Sequence, residues 1–125
     1  MKLCEISGNI IAVIAINVYI ICLLGNFRPM LVMSPSMEPA LGEGLIIIGK
    51  GVDEDTELMI GDVCTYETAD GEPTITHRIV RKTAEGYIFK GDNNSFEDPL
   101  PVPREKVRYR IIFPQISADD GASIR

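Results

Sequence analysis

Hydrophobic positions fall into two regimes along the chain. Between Glu5 and Arg28 no residue carries a charge, and Ile10 to Leu24 is apolar except at Asn17 and Tyr19. A helix needs about 20 residues to cross a bilayer core, so this window predicts one transmembrane helix over about residues 6–27. Asn17 interrupts the apolar run, and an amide in hydrocarbon needs a hydrogen-bonding partner. Two rivals stand beside the permanent anchor, a cleaved secretory signal and a buried helix. A cleaved signal has a shorter apolar region, about 7–15 residues, ending in a small-x-small site. No clean Ala-x-Ala lies between Leu24 and Met33.

After Arg28 the period changes. Leu45 to Ile48 is a short apolar run bounded by Gly44 and Gly49, which predicts a fully buried strand. Asp62 to Glu67 alternates, with Val63 and Thr65 on one face. Asp70-Gly71 is a hairpin turn signal, and Pro73 to Arg81 reads as the returning strand. A second turn at Glu85-Gly86 leads into Tyr87-Ile88-Phe89. The last strand runs from Val107 to Phe113, with Val107, Tyr109 and Ile111 on one face and Arg108 and Arg110 on the other. No stretch beyond Arg28 keeps an apolar 3.6-residue period for three turns. The fold expected is mainly β: an antiparallel sheet preceded by one N-terminal transmembrane α-helix. Residues 1–27 form the anchor and 28–125 the β domain, with a disordered tail from about 115.

Charge narrows the partners. The formal net charge is −6, and nearly all of it lies beyond the anchor, since Lys2 and Glu5 cancel. An acidic domain without tryptophan argues against nucleic acid as a partner. Cys4 and Cys22 lie at or in the anchor and Cys64 stands alone in the β domain, so no intramolecular disulfide framework is expected. One histidine and no cysteine pair offer no recognisable metal-ligand set, and no cofactor is expected. The basic residues flanking the anchor are too evenly split to orient it.

Three segments carry candidate chemistry. In Ser34-Pro35-Ser36-Met37-Glu38-Pro39 two prolines push the residues before them towards extended geometry. The loop is therefore rigid, which suits a nucleophile held at an attack angle, although spacing alone favours a plain connector. The single histidine, His77, shares a strand face with Ile75 and Ile79. Burial there would keep it neutral, as a general base requires; a core histidine bonded to a backbone carbonyl fits equally well. Gly91-Asp92-Asn93-Asn94 is a turn by composition, and aspartate in such a turn is readily used by neighbouring backbone N–H groups. Asp98 lies beyond it with less local need for a carboxylate. Serine, histidine and carboxylate are the parts of an acyl-transfer triad.

Taken together these segments resemble the type I signal peptidase family. Its Ser-x-Ser-Met-x-Pro nucleophile box is matched by Ser34 to Pro39, its Gly-Asp strand start by Gly61-Asp62, and its Gly-Asp-Asn-Asn box by Gly91 to Asn94. The resemblance runs from the anchor to about Phe113. A lysine is the base in the common bacterial branch. Here the matching position reads His77-Arg78-Ile79, similar to the branch found in archaea, the endoplasmic reticulum and some Gram-positive bacteria.

The resemblance implies Ser36 as nucleophile, His77 as base, Asp98 as the triad acid and Asp92 as a second important acid. It implies that the Ser34 hydroxyl helps hold the oxyanion. A substrate would lie extended between Met30, Leu31, Val32, Met33 and Ser34 on one side and Thr74, Ile75, Thr76 and His77 on the other, by strand addition. Implied too are signal-peptide-bearing preproteins as substrates, the lipid bilayer as environment, association with secretion machinery, and a single-pass membrane protein with its β domain on the extracytoplasmic or lumenal side. Tyr109 departs from the pattern, standing where the family usually has glycine. The residues after Phe113 do not read as the second span that some relatives carry. Two alternatives remain: a protease dedicated to a few pilin-like or matrix substrates, and a catalytically silent, membrane-tethered β domain.

Overall fold

A computed structural model describes residues 3–68 and 74–114. Helix α1 spans Leu3–Leu24. Its segment Ser7–Leu24 is long and apolar enough to cross a membrane, and none of it is buried within the protein. Asn17 finds its partner one turn back, donating from Nδ2 to the Val13 carbonyl at 2.8 Å. One N–H of the amide is thereby bonded within the helix, the kind of internal partner a bilayer demands. The helix stops at Leu24 rather than at 27. Asn26 adopts a left-handed conformation, φ 59°, which asparagine tolerates, and Phe27 is already paired with Lys50 in the sheet.

Among the described residues six strands follow: β1 (Phe27–Leu31), β2 (Ile46–Gly51), β3 (Val63–Glu67), β4 (Thr74–Thr83), β5 (Gly86–Lys90) and β6 (Val107–Phe113). They form one sheet in the order β1-β2-β6-β3-β4-β5. Every neighbouring pair is antiparallel. The class read from the alternation is the class observed.

Burial separates the two faces of β3. Cys64 and Tyr66 join Leu58, Ile79, Phe89, Val102 and Val107 in one core cluster. Val63 points the other way, into a second cluster with Met37, Leu41, Ile47 and Ile111. Each fully buried apolar side chain of this size contributes about 1.5–3 kcal/mol relative to exposure. Both clusters thus help hold the thin sheet.

Two local expectations are corrected. Leu45 to Ile48 is not buried throughout: Ile47 is 1% exposed but Ile46 is 63% exposed. Strand β2 lies between β1 and β6 and turns only one face to the core, so it alternates like any half-covered strand. The second turn is Ala84-Glu85, not Glu85-Gly86, because Gly86 already pairs with Thr83 as the first residue of β5. Gly86 has φ 142°, and a Cβ there would collide with the Val102 backbone, so only glycine fits. The turn at Asp70-Gly71 and the tail from about 115 lie outside the described residues. Tyr109 is accommodated by its neighbour. Its Cβ lies 2.8 Å from where a Cβ on Gly49 would be, so the space a glycine would have left at 109 is supplied from β2.

Candidate active site

Ser36 sits in the middle of a single 3-10 turn, Pro35–Met37, capped by extended Ser34. Met37 and Leu41, both essentially unexposed, root this loop in the second core cluster. From the other side the Gly91–Asn94 segment clamps it. The Asn93 backbone N–H donates to the Ser36 carbonyl at 2.8 Å. Its side-chain Nδ2 donates to the Pro35 carbonyl at 3.1 Å. Gly91 has to be small, since a Cβ there would lie 2.7 Å from the Ser36 carbonyl oxygen. Composition marked Asn93 only as a turn former; its bond to the serine loop crosses 58 residues and has no local signal.

His77 is buried on β4. Its Nε2 lies 3.2 Å from Ser36 Oγ, and its Nδ1 lies 2.7 Å from Asp98 Oδ2. An ionised carboxylate can only accept. Nδ1 therefore carries the proton, and the bare Nε2 faces the serine hydroxyl. Asp98 is fixed by its backbone N–H, which donates to the Phe89 carbonyl at 2.7 Å. Next to it Glu97 forms a two-pronged pair with Arg81, at 3.0 and 2.7 Å. Tyr66 donates its hydroxyl to the same Asp98 oxygen that His77 uses. Burial and the adjacent carboxylate push that phenol far above its ordinary pKa, so it stays a donor. Ser34 Oγ is 3.0 Å from Ser36 Oγ, and the Ser36 N–H points at Ser34 Oγ from 3.5 Å.

Asp92 is not part of this chain of bonds. It accepts from Arg78 Nε and Nη2 at 2.9 and 2.8 Å, and both side chains are nearly buried. Arg78 also donates to the Gly61 carbonyl at 2.9 Å. The turn chemistry expected of Asp92, acceptance from adjacent backbone N–H groups, gives way to a guanidinium from the opposite face of β4 to His77. A fork of this kind holds a carboxylate more firmly than scattered N–H donors.

A groove of about 500 Å³ opens beside Ser36. Its walls include Met30, Leu31, Val32 and Met33 from the β1 side and Thr74, Ile75, Thr76 and His77 from β4. These strands stand first and fifth in the sheet, so the sheet must curl to bring them together. The Met30 sulfur, 3.9 Å from Thr65 Oγ1 on β3, marks the closure. Both walls present open backbone. Among the described residues β1 is an edge strand, and β5 pairs with β4 only from Arg78 onward, leaving residues 74–77 uncovered on that side. Thr65 and Thr76 join hydroxyls at 2.7 Å in the groove. Cys64, opposite His77 in the β3–β4 register, is fully buried. Its thiol is pushed up to about 12 by desolvation, which leaves it unreactive.

A hydroxyl on an imidazole whose far nitrogen is held by a half-buried carboxylate is the connectivity of a serine acyl-transfer site. Here that connectivity stands on a curled antiparallel sheet, behind an N-terminal helix long and apolar enough to cross a membrane. No protein-family model matches the chain. Individual proteins do. It is 42% identical over 81 residues to signal peptidase I W of Bacillus subtilis, covering 62% of this chain and 42% of that protein. It is 38% identical over 73 residues to the signal peptidase complex catalytic subunit SEC11 of Fusarium vanettenii, covering 54% and 41%. The SEC11 subunit of Zygosaccharomyces rouxii is 35% identical over 81 residues, covering 61% and 47%. Over that part of its length the chain is similar to these signal peptidases. It spans less than half the length of these curated relatives.

Proposed function

We propose that this chain is a membrane-bound serine endopeptidase that cleaves N-terminal signal peptides from exported preproteins. The observation that carries the reading is the Ser36–His77–Asp98 chain of contacts, 3.2 and 2.7 Å long, at the side of a groove between two uncovered strand edges. The preprotein adds as an extended strand between residues 30–34 and 74–77, and its alternate side chains enter the groove. The Ser36 Oγ attacks the scissile carbonyl carbon while Nε2 of His77 takes the hydroxyl proton. Asp98 holds the imidazolium that forms. The oxyanion meets the Ser36 N–H and the Ser34 hydroxyl. Collapse breaks the C–N bond, and His77 returns its proton to the leaving amine of the mature protein. Water, deprotonated by the same nitrogen, then attacks the ester. The signal peptide leaves as a carboxylate and Ser36 is restored.

The helix supports a single-pass anchor in the bilayer, with the β domain on the extracytoplasmic or lumenal side, where exported chains emerge. That location is also where secretion machinery would be a neighbour. The test is cleavage of a preprotein by the purified full chain in detergent micelles, beside Ser36→Ala. Release of a mature fragment with one defined N-terminus, absent in the variant, supports the reading; equal cleavage by both ends it.

A further inference from the structure

Asp98 has two partners on one oxygen, and only His77 belongs to the chemistry just described. The other, Tyr66, lies on β3. The register pairs Cys64 with His77 and Tyr66 with Ile75, so Tyr66 and His77 share one face of the β3–β4 hairpin two positions apart. The Tyr66 ring is 5% exposed and packs on Phe89 with centroids 4.6 Å apart. Phe89 in turn accepts the Asp98 backbone N–H. Tyr66 contributes nothing to the groove walls, so a direct role towards substrate is closed to it. The Asp98 side chain is 13% exposed. Water can reach a carboxylate there and turn it from the imidazole unless something else holds it.

We infer that Tyr66 is a positioning residue, a core-anchored tether that keeps the Asp98 carboxylate facing His77 Nδ1. The inference rests on the serine-protease reading for its effect on turnover, but not for its effect on His77 itself. The hydroxyl comes from a rigid ring inside the main core, so its position costs little entropy to maintain. A hydrogen bond to a charged group is among the stronger ones. Freed of it, Asp98 swings towards water and the imidazolium loses part of its stabilisation.

The experiment uses Tyr66→Phe, which keeps the ring contact with Phe89, in the full chain in micelles. His77 is the single histidine, so its ring proton resonances can be followed through a pH titration without ambiguity. Expected is a titration displaced to lower pH, with kcat reduced by about 10- to 100-fold and KM unchanged. An unmoved or raised His77 titration overturns the tether, as does a kcat within twofold of the parent. If Tyr66→Phe is poorly folded, Tyr66→Met, which fills the core space without a hydroxyl, supplies the second measurement and should show the same displaced titration; an unmoved one refutes the tether. A tether acting through the carboxylate makes the His77 titrations of Asp98→Asn and the double variant Asp98→Asn/Tyr66→Phe coincide; a further shift in the double variant refutes it. Should cleavage survive Ser36→Ala, the protease reading fails while the titration still decides on Tyr66.

Discussion

His77 and Asp98 meet through Nδ1 and Oδ2 at 2.7 Å, across 21 residues of chain. The contact exists because β5 returns alongside β4 and delivers the following loop beneath the imidazole, where the Asp98 N–H ties back to Phe89. An imidazole anchored this way has one tautomer and one ring orientation, with Nε2 left to face Ser36. Asp98→Asn keeps the shape but offers an amide, which favours the opposite tautomer. Turnover is expected to fall by a factor on the order of 10³–10⁴, with the thermal midpoint nearly unchanged. Parallel measurements of kcat and Tm check this; a variant within tenfold of the parent would remove Asp98 from the relay.

Asp92→Asn is expected to do the reverse. It breaks a two-pronged pair whose partners are both nearly buried and leaves the Arg78 charge uncompensated on that side. Breaking such a pair costs about 3–5 kcal/mol. The thermal midpoint should drop clearly, and activity should follow the folded fraction rather than fall ahead of it. Loss of turnover in a fully folded Asp92→Asn protein would give Asp92 a role that its pairing with Arg78 does not suggest.

Much of this arrangement was legible in advance, and the gaps have a common cause. The uncharged window, the alternating runs and the glycine-led turns are local signals, and helix and sheet followed from them. The serine loop and the lone histidine on an apolar face stand out as candidates by their residues. Spacing alone, however, favours a plain connector for the first and fits a core histidine equally well for the second, and only the resemblance gives them roles. Arg78 with Asp92, Tyr66 with Asp98 and Asn93 with Pro35 were not legible, since each joins segments that meet only after the sheet has formed. The full burial expected for Leu45 to Ile48 failed for the same reason. An apolar run says that a strand forms, but the neighbours β1 and β6 decide which of its faces is covered.

The clamp on the serine loop yields a third prediction. Gly91→Ala places a methyl group where the Ser36 carbonyl already lies, 2.7 Å away. Backbone must yield on one side or the other, at a cost of about 1–3 kcal/mol. Displacement of the loop by even a few tenths of an ångström lengthens the Ser36–His77 contact. Turnover should fall more steeply than stability. Asn93→Ala, which removes the bond to the Pro35 carbonyl without adding bulk, should show the same trend more mildly. Equal losses of kcat and folded fraction in both variants would show the clamp to be purely structural.

Acidity gives a fourth. Nε2 must be bare to take the serine proton, so kcat/KM should decline as the medium is acidified from neutral pH. His77→Lys should not restore the activity that His77→Ala loses. A lysine base has to be desolvated to lose its proton near neutrality, and this site offers the Asp98 carboxylate instead, which would hold the ammonium charged. A rate unchanged by that acidification, with chemistry limiting, would exclude His77 as the base.

The groove itself supports the last prediction. Met30 reaches from the edge strand into the space between the two strand walls, with its sulfur 3.9 Å from Thr65 Oγ1. A side chain entering from an added substrate strand must share that space with the methionine, so Met30 limits its size. Met30→Ala removes most of that bulk. Truncation of a packed methionine also costs stability, about 2–5 kcal/mol when burial is complete, so raw activity is a poor readout. The ratio of kcat/KM for two substrates is insensitive to how much enzyme is folded, because both compete for the same active molecules. Two preproteins differing only in the residue before the cut, alanine in one and leucine in the other, are the pair to compare. In the parent, alanine should be strongly preferred. In Met30→Ala the preference should narrow by about tenfold or more, as expected when a few methylenes gain room, each worth about 1 kcal/mol of discrimination or somewhat more. An unchanged ratio would mean that the residue before the cut never meets Met30, and that another wall of the groove, with Ile75 and Thr76 nearest to His77, sets the limit.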